Sequence, residues 1–230
     1  MKKKVVVLSG AGMSAESGIS TFRDAGGLWE GHDVMTVASP EGWRKNSELV
    51  LEFYNQRRRQ LLAVQPNAGH RALAALEKDF EVIIVTQNVD DLHERAGSSQ
   101  VIHLHGELLK VRSTSFPELI YDWREDLKTG DCCERGTQLR PHIVWFGEMV
   151  PMLETAAEIV CEADFLFIVG TSLQVYPAAG LVHYARAGIP VFYIDPKAFS
   201  YPSVSNLKLI AKPATTGVPE AISEISRLVI

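Results

Sequence analysis

Two short polar segments carry the side chains best suited to acid–base chemistry, and each directly follows an apolar run. One contributes two amides and a carboxylate, from Gln87, Asn88 and Asp90. The other contributes His105, with His103 two residues before it. Ligands of an open α/β sheet bind outside the carboxyl ends of its strands, so both segments are expected to line one crevice. The pattern favours His105 as a general base, and a structural histidine is the alternative.

A glycine-rich turn predicts a second kind of chemistry, the binding of phosphate. The apolar run VVVL leads directly into GAGMSAESG, which satisfies G-x-G-x-x-G/A through Gly10, Gly12 and Ala15. The glycines permit a tight turn, and a pyrophosphate can then lie at the N-terminus of a following helix, where N–H groups and the helix dipole favour anions. The turn therefore indicates a dinucleotide such as NAD.

One acidic residue that a dehydrogenase needs is missing. A Rossmann dehydrogenase places it about 20 residues after the turn, at the end of a second strand. Asp24 has a similar spacing but lies in a Gly-rich loop with no strand before it. Asp195, after the run VFYI, is the better candidate for an adenosine ribose hydroxyl. Its alternative role is a plain strand-end turn before Pro196.

The elements that must position these groups alternate between strand and helix patterns. Apolar runs bounded by turn signals predict strands buried on both faces, at 5–8, 82–86, 101–104, 143–146, 165–170, 191–194 and 207–211. Amphipathic segments predict helices at 68–78, 153–163, 178–187 and 218–228. This alternation predicts an α/β fold, a Rossmann-like parallel sheet with helices on both faces.

Two segments break the alternation and are predicted to form a smaller lobe. The first contains a Gly/Asp-rich loop and a helix over 47–64, and the second is polar and poor in strand signals. We expect the NAD-binding domain to comprise 1–23, 67–106 and 143–230, and the small lobe to comprise 24–66 and 107–142.

Composition limits the partners. The 23 basic and 28 acidic residues give a net charge of −5 without long single-sign runs, which predicts neither a nucleic-acid nor a membrane partner. No stretch approaches the roughly 18 apolar residues needed to cross a bilayer.

The 3 cysteines cannot form a disulfide framework, so a reducing, cytoplasmic location is expected. We expect a monomer.

Five segments together resemble the sirtuin family of NAD-dependent protein lysine deacylases. They are GAGMSAESGISTFRD, TQNVDDLHERAG, HLHGE, PHIVWFGE and GTSLQVYPA, in the family's order and over most of the chain. The resemblance implies that NAD is a glycosyl donor and not a hydride carrier. The acyl oxygen of a modified lysine attacks the nicotinamide ribose, nicotinamide leaves, and His105 activates a ribose hydroxyl so that the acyl group moves to the sugar. The products are free lysine, nicotinamide and O-acyl-ADP-ribose.

The resemblance also implies roles for individual residues. Those expected to hold the phosphates are Gly10, Ala11, Gly12, Ser14, Gly170, Thr171 and Ser172, with Phe22 and Arg23 over the ribose. Gln87, Asn88 and Asp90 are expected to hold the nicotinamide ribose and the carboxamide, with Asn88 and Asp90 joining His105 as catalytic residues. Two backbone segments should pair with an extended acyl-lysine protein or peptide by strand addition, through Val144, Phe146, Gly147 and Glu148 and through Leu173 and Val175.

The family's structural zinc site is incomplete in this chain. The family holds zinc with two cysteine pairs, but residues 110–115, where the first pair belongs, read KVRSTS. In the second pair Cys132 matches one ligand, Arg135 replaces the other, and Cys133 lacks the spacing. Since one or two thiolates cannot make a closed four-ligand site, we predict that zinc is absent. The small lobe is then expected to pack around Leu119, Tyr121, Trp123 and Leu127.

The helix over 47–64 bears on substrate choice, because Tyr54 and Arg57 are three residues apart and share a face. Tyr-x-x-Arg resembles the sirtuin subgroup that removes acidic acyl groups, in which the pair binds a distal carboxylate, and Ala38 matches the small residue that widens that pocket. Arginine and tyrosine are suited to a carboxylate. We predict removal of succinyl or malonyl groups with some deacetylation; a solvated arginine face is the alternative.

Three other functions stay open at this point. A protein mono-ADP-ribosyltransferase would use the same donor and crevice with a protein side chain as the final acceptor. A Rossmann dehydrogenase would transfer hydride and form NADH. A non-catalytic sensor of NAD or ADP-ribose would have no use for reactive groups at His105 and Asn88.

Overall fold

The computed structural model describes residues 2–20, 28–29, 31–204 and 206–229. The strands are β1 (Lys4–Ser9), β2 (Leu28–Trp29), β3 (His32–Asp33), β4 (Glu81–Thr86), β5 (Val101–His103), β6 (Gly106–Ser113), β7 (Ile120–Asp122), β8 (Leu139–Ile143), β9 (Phe165–Val169), β10 (Val191–Ile194) and β11 (Leu207–Ile210). The α-helices are α1 (Val34–Val37), α2 (Pro40–Lys45), α3 (Ser47–Ala63), α4 (Ala68–Leu76), α5 (Leu92–Ala96), α6 (Leu153–Cys161) and α7 (Ala214–Leu228).

A six-stranded parallel sheet forms the centre of the fold, in the order β11-β10-β9-β1-β4-β5. Alternate residues of β1 face opposite sides, as strand geometry requires. Val5 and Val7 pack with α4 and α7, and Val6 and Leu8 pack with α6. The predicted α/β fold with a parallel sheet is therefore confirmed, and its carboxyl-end edge carries the segments that follow β1, β4 and β9.

The segment over 107–142 was predicted to be poor in strands, and this is wrong. It forms most of a three-stranded antiparallel sheet in the order β7-β6-β8. Along β6, buried Leu108, Val111 and Ser113 are interspersed with more exposed positions, and a register shift between Gly106 and Val111 interrupts the period. A polar outer face and this irregularity concealed the strand pattern.

The run 143–146 was predicted as a strand of the parallel sheet, and this is also wrong. Ile143 ends β8 of the antiparallel sheet, and residues 144–148 form an irregular turn. The run is apolar because Trp145 fills a cluster under α3, together with Val50 and Phe53. Burial of a tryptophan between elements produces the same apolar signal as a buried strand.

Two predicted helices differ in kind or extent. The one at 178–187 is a 3-10 helix over Ala178–Tyr184. The one at 218–228 begins earlier, at Ala214, in spite of the low helix propensity of Thr215, Thr216 and Gly217. A Cβ on Gly217 would lie 2.4 Å from Ile194 Cγ2, so glycine is needed for close packing of α7 on the sheet. Packing here outweighs propensity.

The helix α3 is joined to the antiparallel sheet region by buried polar groups. Asn55 donates from Nδ2 to Leu127 O at 3.0 Å, and its Oδ1 accepts from Leu127 N at 2.9 Å and from Arg58 at 2.7 Å. Leu127 packs with Val111, and the predicted apolar packing is confirmed, with Leu119, Tyr121 and Trp123 partly buried against this cluster.

Within the described ranges, no helix is both long and apolar enough to cross a membrane.

Replacing Asn55 tests how much these bonds stabilise the fold. We expect Asn55→Ala to lower the free energy of unfolding by roughly 2–4 kcal/mol, because the N–H and C=O of Leu127 and the Arg58 guanidinium lose their bonds to Asn55. Chemical denaturation measures the change. Gln56→Ala, on the exposed side of the same helix, should change it by no more than about 0.5 kcal/mol. Equal effects of the two variants would contradict the account.

Candidate active site

Three glycines bring the carboxyl ends of β1 and β9 into backbone contact. Gly10 N donates to Val169 O at 3.0 Å, and Gly12 N donates to Gly170 O at 2.8 Å. A Cβ on Gly10 would lie 2.7 Å from Thr171 Cβ, and one on Gly12 would lie 2.7 Å from Gly170 Cα. Gly170 has φ +60°, and a Cβ there would lie 2.2 Å from a backbone nitrogen. Any side chain at these positions would push the two strand ends apart.

The turn continues differently from the prediction. Instead of a regular helix, Ala11–Met13 and Ala15–Ser17 form two short 3-10 helices, and Gly18 ends the second at φ +95°. Ser14 lies between them and is fully buried. The predicted helix N-terminus is thus replaced by two tight turns. Side chains such as Ser14 therefore supply part of the polar groups at this edge of the sheet.

Ser14 connects the glycine turn to the polar segment after β4. Its Oγ donates to Asp90 Oδ2 at 2.8 Å and accepts from Asn88 Nδ2 at 3.1 Å. The other carboxylate oxygen of Asp90 accepts from Leu92 N at 3.1 Å. Burial raises the pKa of Asp90, although the bonds from Ser14 and Leu92 lower it in part. The predicted residues Ser14, Asn88 and Asp90 therefore form one bonded group.

Gln87 and Thr171 connect the ends of β4 and β9. Gln87 Nε2 donates to Thr171 Oγ1 at 3.1 Å, and Tyr193 OH donates to Thr171 O at 2.9 Å. Ser172 follows in the same loop and is half-buried. The hydroxyl and amide groups around this edge are those that bind phosphate and ribose oxygens in proteins. The donor set therefore fits a dinucleotide.

His105 has the partner that a general base requires. Its Nδ1 lies 3.1 Å from Gln87 O. A carbonyl oxygen only accepts, so the neutral ring carries its proton on Nδ1, and Nε2 is the basic nitrogen. Burial lowers the pKa of His105, and the bond to Gln87 O offsets part of that change. The ring is therefore neutral near neutral pH.

His103 differs from His105 at Nε2, the nitrogen that a general base would use. Its Nδ1 lies 3.0 Å from Asn88 O, and its Nε2 lies 2.7 Å from the Glu94 carboxylate. Burial lowers the pKa of His103, but the bonds to Glu94 and to the Asn88 carbonyl raise it by more, and the net change is an increase. Both nitrogens face acceptors, so the structural alternative describes His103 and the general-base hypothesis is left to His105.

The two backbone segments predicted to pair with substrate lie beside this edge, and neither is a regular strand. Val144 N donates to His105 O at 2.9 Å, and Phe146 N donates to Ala38 O at 2.9 Å. Glu148 N donates to Trp145 O at 3.0 Å. These N–H groups are therefore already bonded within the chain. An extended peptide would have to bond mainly to carbonyl oxygens here and to Gly147, whose φ is +89° and whose Cα faces open space.

The second substrate segment is anchored at both ends. Leu173 is buried at φ +54°, and its N–H donates to Thr171 Oγ1 at 3.3 Å. Val175 O accepts from Ala179 N at 2.9 Å. The candidate ribose ligand Asp195 accepts from Lys197 N at 2.7 Å, which is the geometry of its alternative role in a turn. Phe22, Arg23 and Asp24 lie outside the described residues.

The three residues predicted to read the acyl group lie around one aromatic cluster. Tyr54 has no exposed surface, and its hydroxyl accepts from Trp145 Nε1 at 3.1 Å. Ala38 is buried in the same cluster. Arg57 is half-buried, with Nη1 donating to Phe53 O at 2.9 Å and its guanidinium 4.2 Å from the centre of the Phe53 ring.

Sequence reasoning missed the residues that hold this cluster against the substrate segment. The Glu148 carboxylate accepts from Arg140 at 2.7 Å, from Arg112 at 3.2 Å and from Trp145 N at 2.8 Å. The guanidinium of Arg140 lies 3.3 Å from the centre of the Trp145 ring. The substrate contact predicted for Glu148 is through its backbone, and its side chain is held within the fold by these three bonds. No spacing rule joins these residues, because they meet across the antiparallel sheet.

The segment of the incomplete zinc site holds a hydroxyl cluster. Ser113 Oγ and Thr137 Oγ1 are 2.6 Å apart, and the buried Cys133 Sγ lies 3.1 Å from Thr137 Oγ1 and 3.5 Å from Ser113 Oγ. Phe116 N donates to Ser113 Oγ at 3.1 Å. Across the described residues no group of three or more His, Cys, Asp or Glu side chains could hold a metal ion. One thiol and two hydroxyls do not fit zinc.

Comparison with known proteins adds an independent line of evidence. The Sir2 family model matches residues 10–177. An NAD-dependent protein deacylase of Helicobacter pylori is 57% identical over 223 residues, which is 97% of this chain and 95% of that protein. One of Bacteroides thetaiotaomicron is 55% identical over 224 residues, 95% of this chain and 96% of that protein.

Solved structures agree over almost the whole chain. A Sir2 homolog in complex with NAD superposes with a TM-score of 0.88 at 38% identity, covering 100% of this chain and 91% of that one. A mutant Sir2 homologue in complex with ADP-ribose gives a TM-score of 0.89 at 37% identity, covering 99% and 94%.

The opposite environments of the two histidines can be tested directly. In a pH series of histidine ring NMR signals, we expect His103 to titrate above the ordinary pKa of about 6.5 and His105 below it. Glu94→Gln should lower the pKa of His103, because a carboxylate becomes a neutral amide, and leave that of His105 unchanged. Glu77→Gln, remote from both rings, is the control. A pKa of His105 above that of His103 would refute the assignment.

Proposed function

Because this chain belongs to the Sir2 family and is an NAD-dependent protein deacylase, we propose that it preferentially removes acyl groups ending in a carboxylate, such as succinyl and malonyl groups, from protein lysines. The acetyl group is then a slower substrate. The observation that carries this proposal is the hydrogen bond from Trp145 to the buried hydroxyl of Tyr54. ADP-ribosylation of protein and hydride transfer, the alternatives that the glycine turn permits, find no support among the named relatives.

The Tyr54 hydroxyl is oriented as a donor. Its oxygen already accepts the Trp145 Nε1 hydrogen, so its own hydrogen is left for another acceptor, and a carboxylate would reach it once the acyl chain opens the cluster that buries it. Burial raises the pKa of Tyr54, so the hydroxyl stays protonated near neutral pH. An acetyl group ends in a methyl and has no acceptor at that position, so only an acidic acyl group uses this bond.

The neighbours of Tyr54 support a position for this donor near the proposed peptide segment. Phe146 N bonds to Ala38 O, and the adjacent Trp145 donates to Tyr54 and shares a buried cluster with Ala38 and Tyr54. Arg57 follows Tyr54 by three residues on α3 and supplies a positive charge on the same face. A guanidinium next to a hydroxyl donor is a favourable pair for a carboxylate.

The residues around the carboxyl ends of the strands would hold NAD. When bound, NAD supplies a ribose carbon with nicotinamide as leaving group. We assign the phosphates to the turn at Gly10, Ala11 and Gly12 with Thr171 and Ser172, and the nicotinamide side to Gln87, Asn88 and Asp90. Ser14, predicted to hold phosphate, is assigned to the nicotinamide side instead, because it bonds to Asn88 and Asp90. His105 has its unprotonated Nε2 available to take a proton from a sugar hydroxyl. A buried carboxylate and neutral amides favour positive charge developing on a sugar.

Variants of α3, compared with a matched arginine control on the same helix, test the acyl preference. We expect Arg57→Met to lower kcat/KM for a succinyl-lysine peptide by about tenfold or more and to leave an acetyl-lysine peptide within about twofold, because only the former presents a carboxylate. Tyr54→Phe, which removes the hydroxyl alone, should act in the same direction. Arg59→Met is the matched control, since Arg59 is exposed and pairs with Glu52 and Asp126.

Two results would refute the proposal. One is a wild-type enzyme that strongly prefers the acetyl peptide. The other is an Arg57→Met variant that loses both activities equally, since that would indicate damage to the fold and not to a carboxylate site.

We further propose that this chain needs no zinc. The Ser113, Thr137 and Cys133 cluster supplies hydrogen bonds at the place where the family's zinc joins the two loops. We expect elemental analysis of purified protein to find far less than one zinc per chain. A strong chelator should leave the melting temperature unchanged. Zinc at one per chain, with a melting temperature that falls on chelation, would contradict this proposal.

A further inference from the structure

Two buried histidines behind the Asn88 segment have no part in the chemistry described so far. His70 on α4 and His93 on α5 have no exposed surface, and their ring centres are 4.8 Å apart at 64°. Burial lowers the pKa of both, that of His70 to about 4, so both rings are neutral near neutral pH. A neutral imidazole has one donating and one accepting nitrogen, and its partners decide which is which.

The proton of His70 is on Nε2. Its Nδ1 accepts from Asn67 N at 3.3 Å, as part of the capping box of α4. Nδ1 is therefore unprotonated, and Nε2 must be the N–H donor. That nitrogen is buried and has no hydrogen-bond partner among the described residues. A buried donor without a partner is costly.

The proton of His93 is also on Nε2. Ser9 donates its hydroxyl hydrogen to Thr86 Oγ1 at 2.9 Å, so Ser9 Oγ can only accept from His93 Nε2 at 3.1 Å. Nδ1 of His93 is then an acceptor, and it too is buried without a partner in the described part of the chain. Two neighbouring rings thus present one unpaired donor and one unpaired acceptor. A small rotation of either ring, or one bridging water, satisfies both.

The same path reaches the active-site segment. Thr86 Oγ1, which accepts from Ser9, also accepts from Asn88 N at 3.0 Å. The observed bonds run from Asn67 to His70 and from His93 through Ser9 to Thr86, and a bond from His70 Nε2 to His93 Nδ1 would join them into one directional path. Ser9 and Thr86 are fully buried, so bulk water does not reach their hydroxyls.

We propose that His70 and His93 are positioning residues that form a neutral, one-directional hydrogen-bond relay and thereby fix the Asn88 backbone for NAD binding. Only one arrangement of hydrogens satisfies every member. Removing or protonating either ring leaves buried groups unpaired and loosens the peptide from which the Asn88 side chain reaches Ser14. The relay ends on the nucleotide side of the site, so its effect falls on NAD and not on the acylated peptide.

The tautomers give a test that needs no mutation. Nitrogen-15 chemical shifts of the histidine rings, recorded on the intact protein at pH 7, should identify His70 and His93 as neutral Nε2–H tautomers. Variants of each histidine serve only to assign the signals. An Nδ1–H tautomer or a cationic ring at either position would overturn the relay.

Kinetics separate a positioning role from a merely structural one. We expect Ser9→Ala and His93→Leu each to raise KM for NAD by roughly five- to tenfold, the factor for one buried hydrogen bond, with KM for the acyl peptide within about twofold. The double variant should lose no more than the worse single variant, since the members act as a unit. Ser98→Ala is the matched control, because Ser98 is a buried serine outside the relay.

Loss of thermal stability with an unchanged KM for NAD would reduce the histidines to a structural role and refute the proposal. If His93→Leu does not fold, Ser9→Ala and the tautomer measurement still decide. Neither the Ser9→Ala kinetics nor the tautomer measurement depends on which acyl group the enzyme prefers.

Discussion

The close approach of two backbone turns at Gly10, Gly12 and Gly170 is the constraint on which the site depends. Because no side chain separates these strand ends, Thr171 comes within hydrogen-bond distance of Gln87, and Ser14 comes within reach of Asn88 and Asp90. An added Cβ at any of these glycines would lie 2.2–2.7 Å from an atom of the facing loop, so the two loops would have to separate. The glycines therefore act first on the geometry between strands, and any phosphate contact follows from it.

Protonation is divided among the histidines by their partners. His105 faces one carbonyl and keeps a basic nitrogen, whereas His103 lies between a carbonyl and a carboxylate, which raise its pKa. His70 and His93 are kept neutral by burial. The four imidazoles thus differ in role: one is a base, one pairs with a carboxylate, and two are buried neutral rings. The role depends on whether each nitrogen meets a donor, an acceptor or neither.

Local patterns in the sequence were enough for the parallel sheet, the glycine turn and the polar ends of β4 and β5, because each depends on neighbours in the chain. They were not enough for features made by distant pairs. Tyr54 and Trp145 are 91 residues apart, and Ser9 and His93 are 84 apart. His103 and His105 also looked alike in the sequence, since Glu94 reaches only one of them. The antiparallel sheet escaped notice because its strands carry polar residues on one face and an irregular register.

We infer that NAD is consumed as a glycosyl donor whose sugar takes the acyl group from lysine. The most direct measurement follows one reaction of the enzyme with NAD and a succinyl-lysine peptide by mass spectrometry of every product. We expect free peptide, nicotinamide and an ADP-ribose carrying the succinyl group to appear in equal amounts. A peptide that keeps its acyl group and gains ADP-ribose, or NAD that is reduced to NADH, would contradict it.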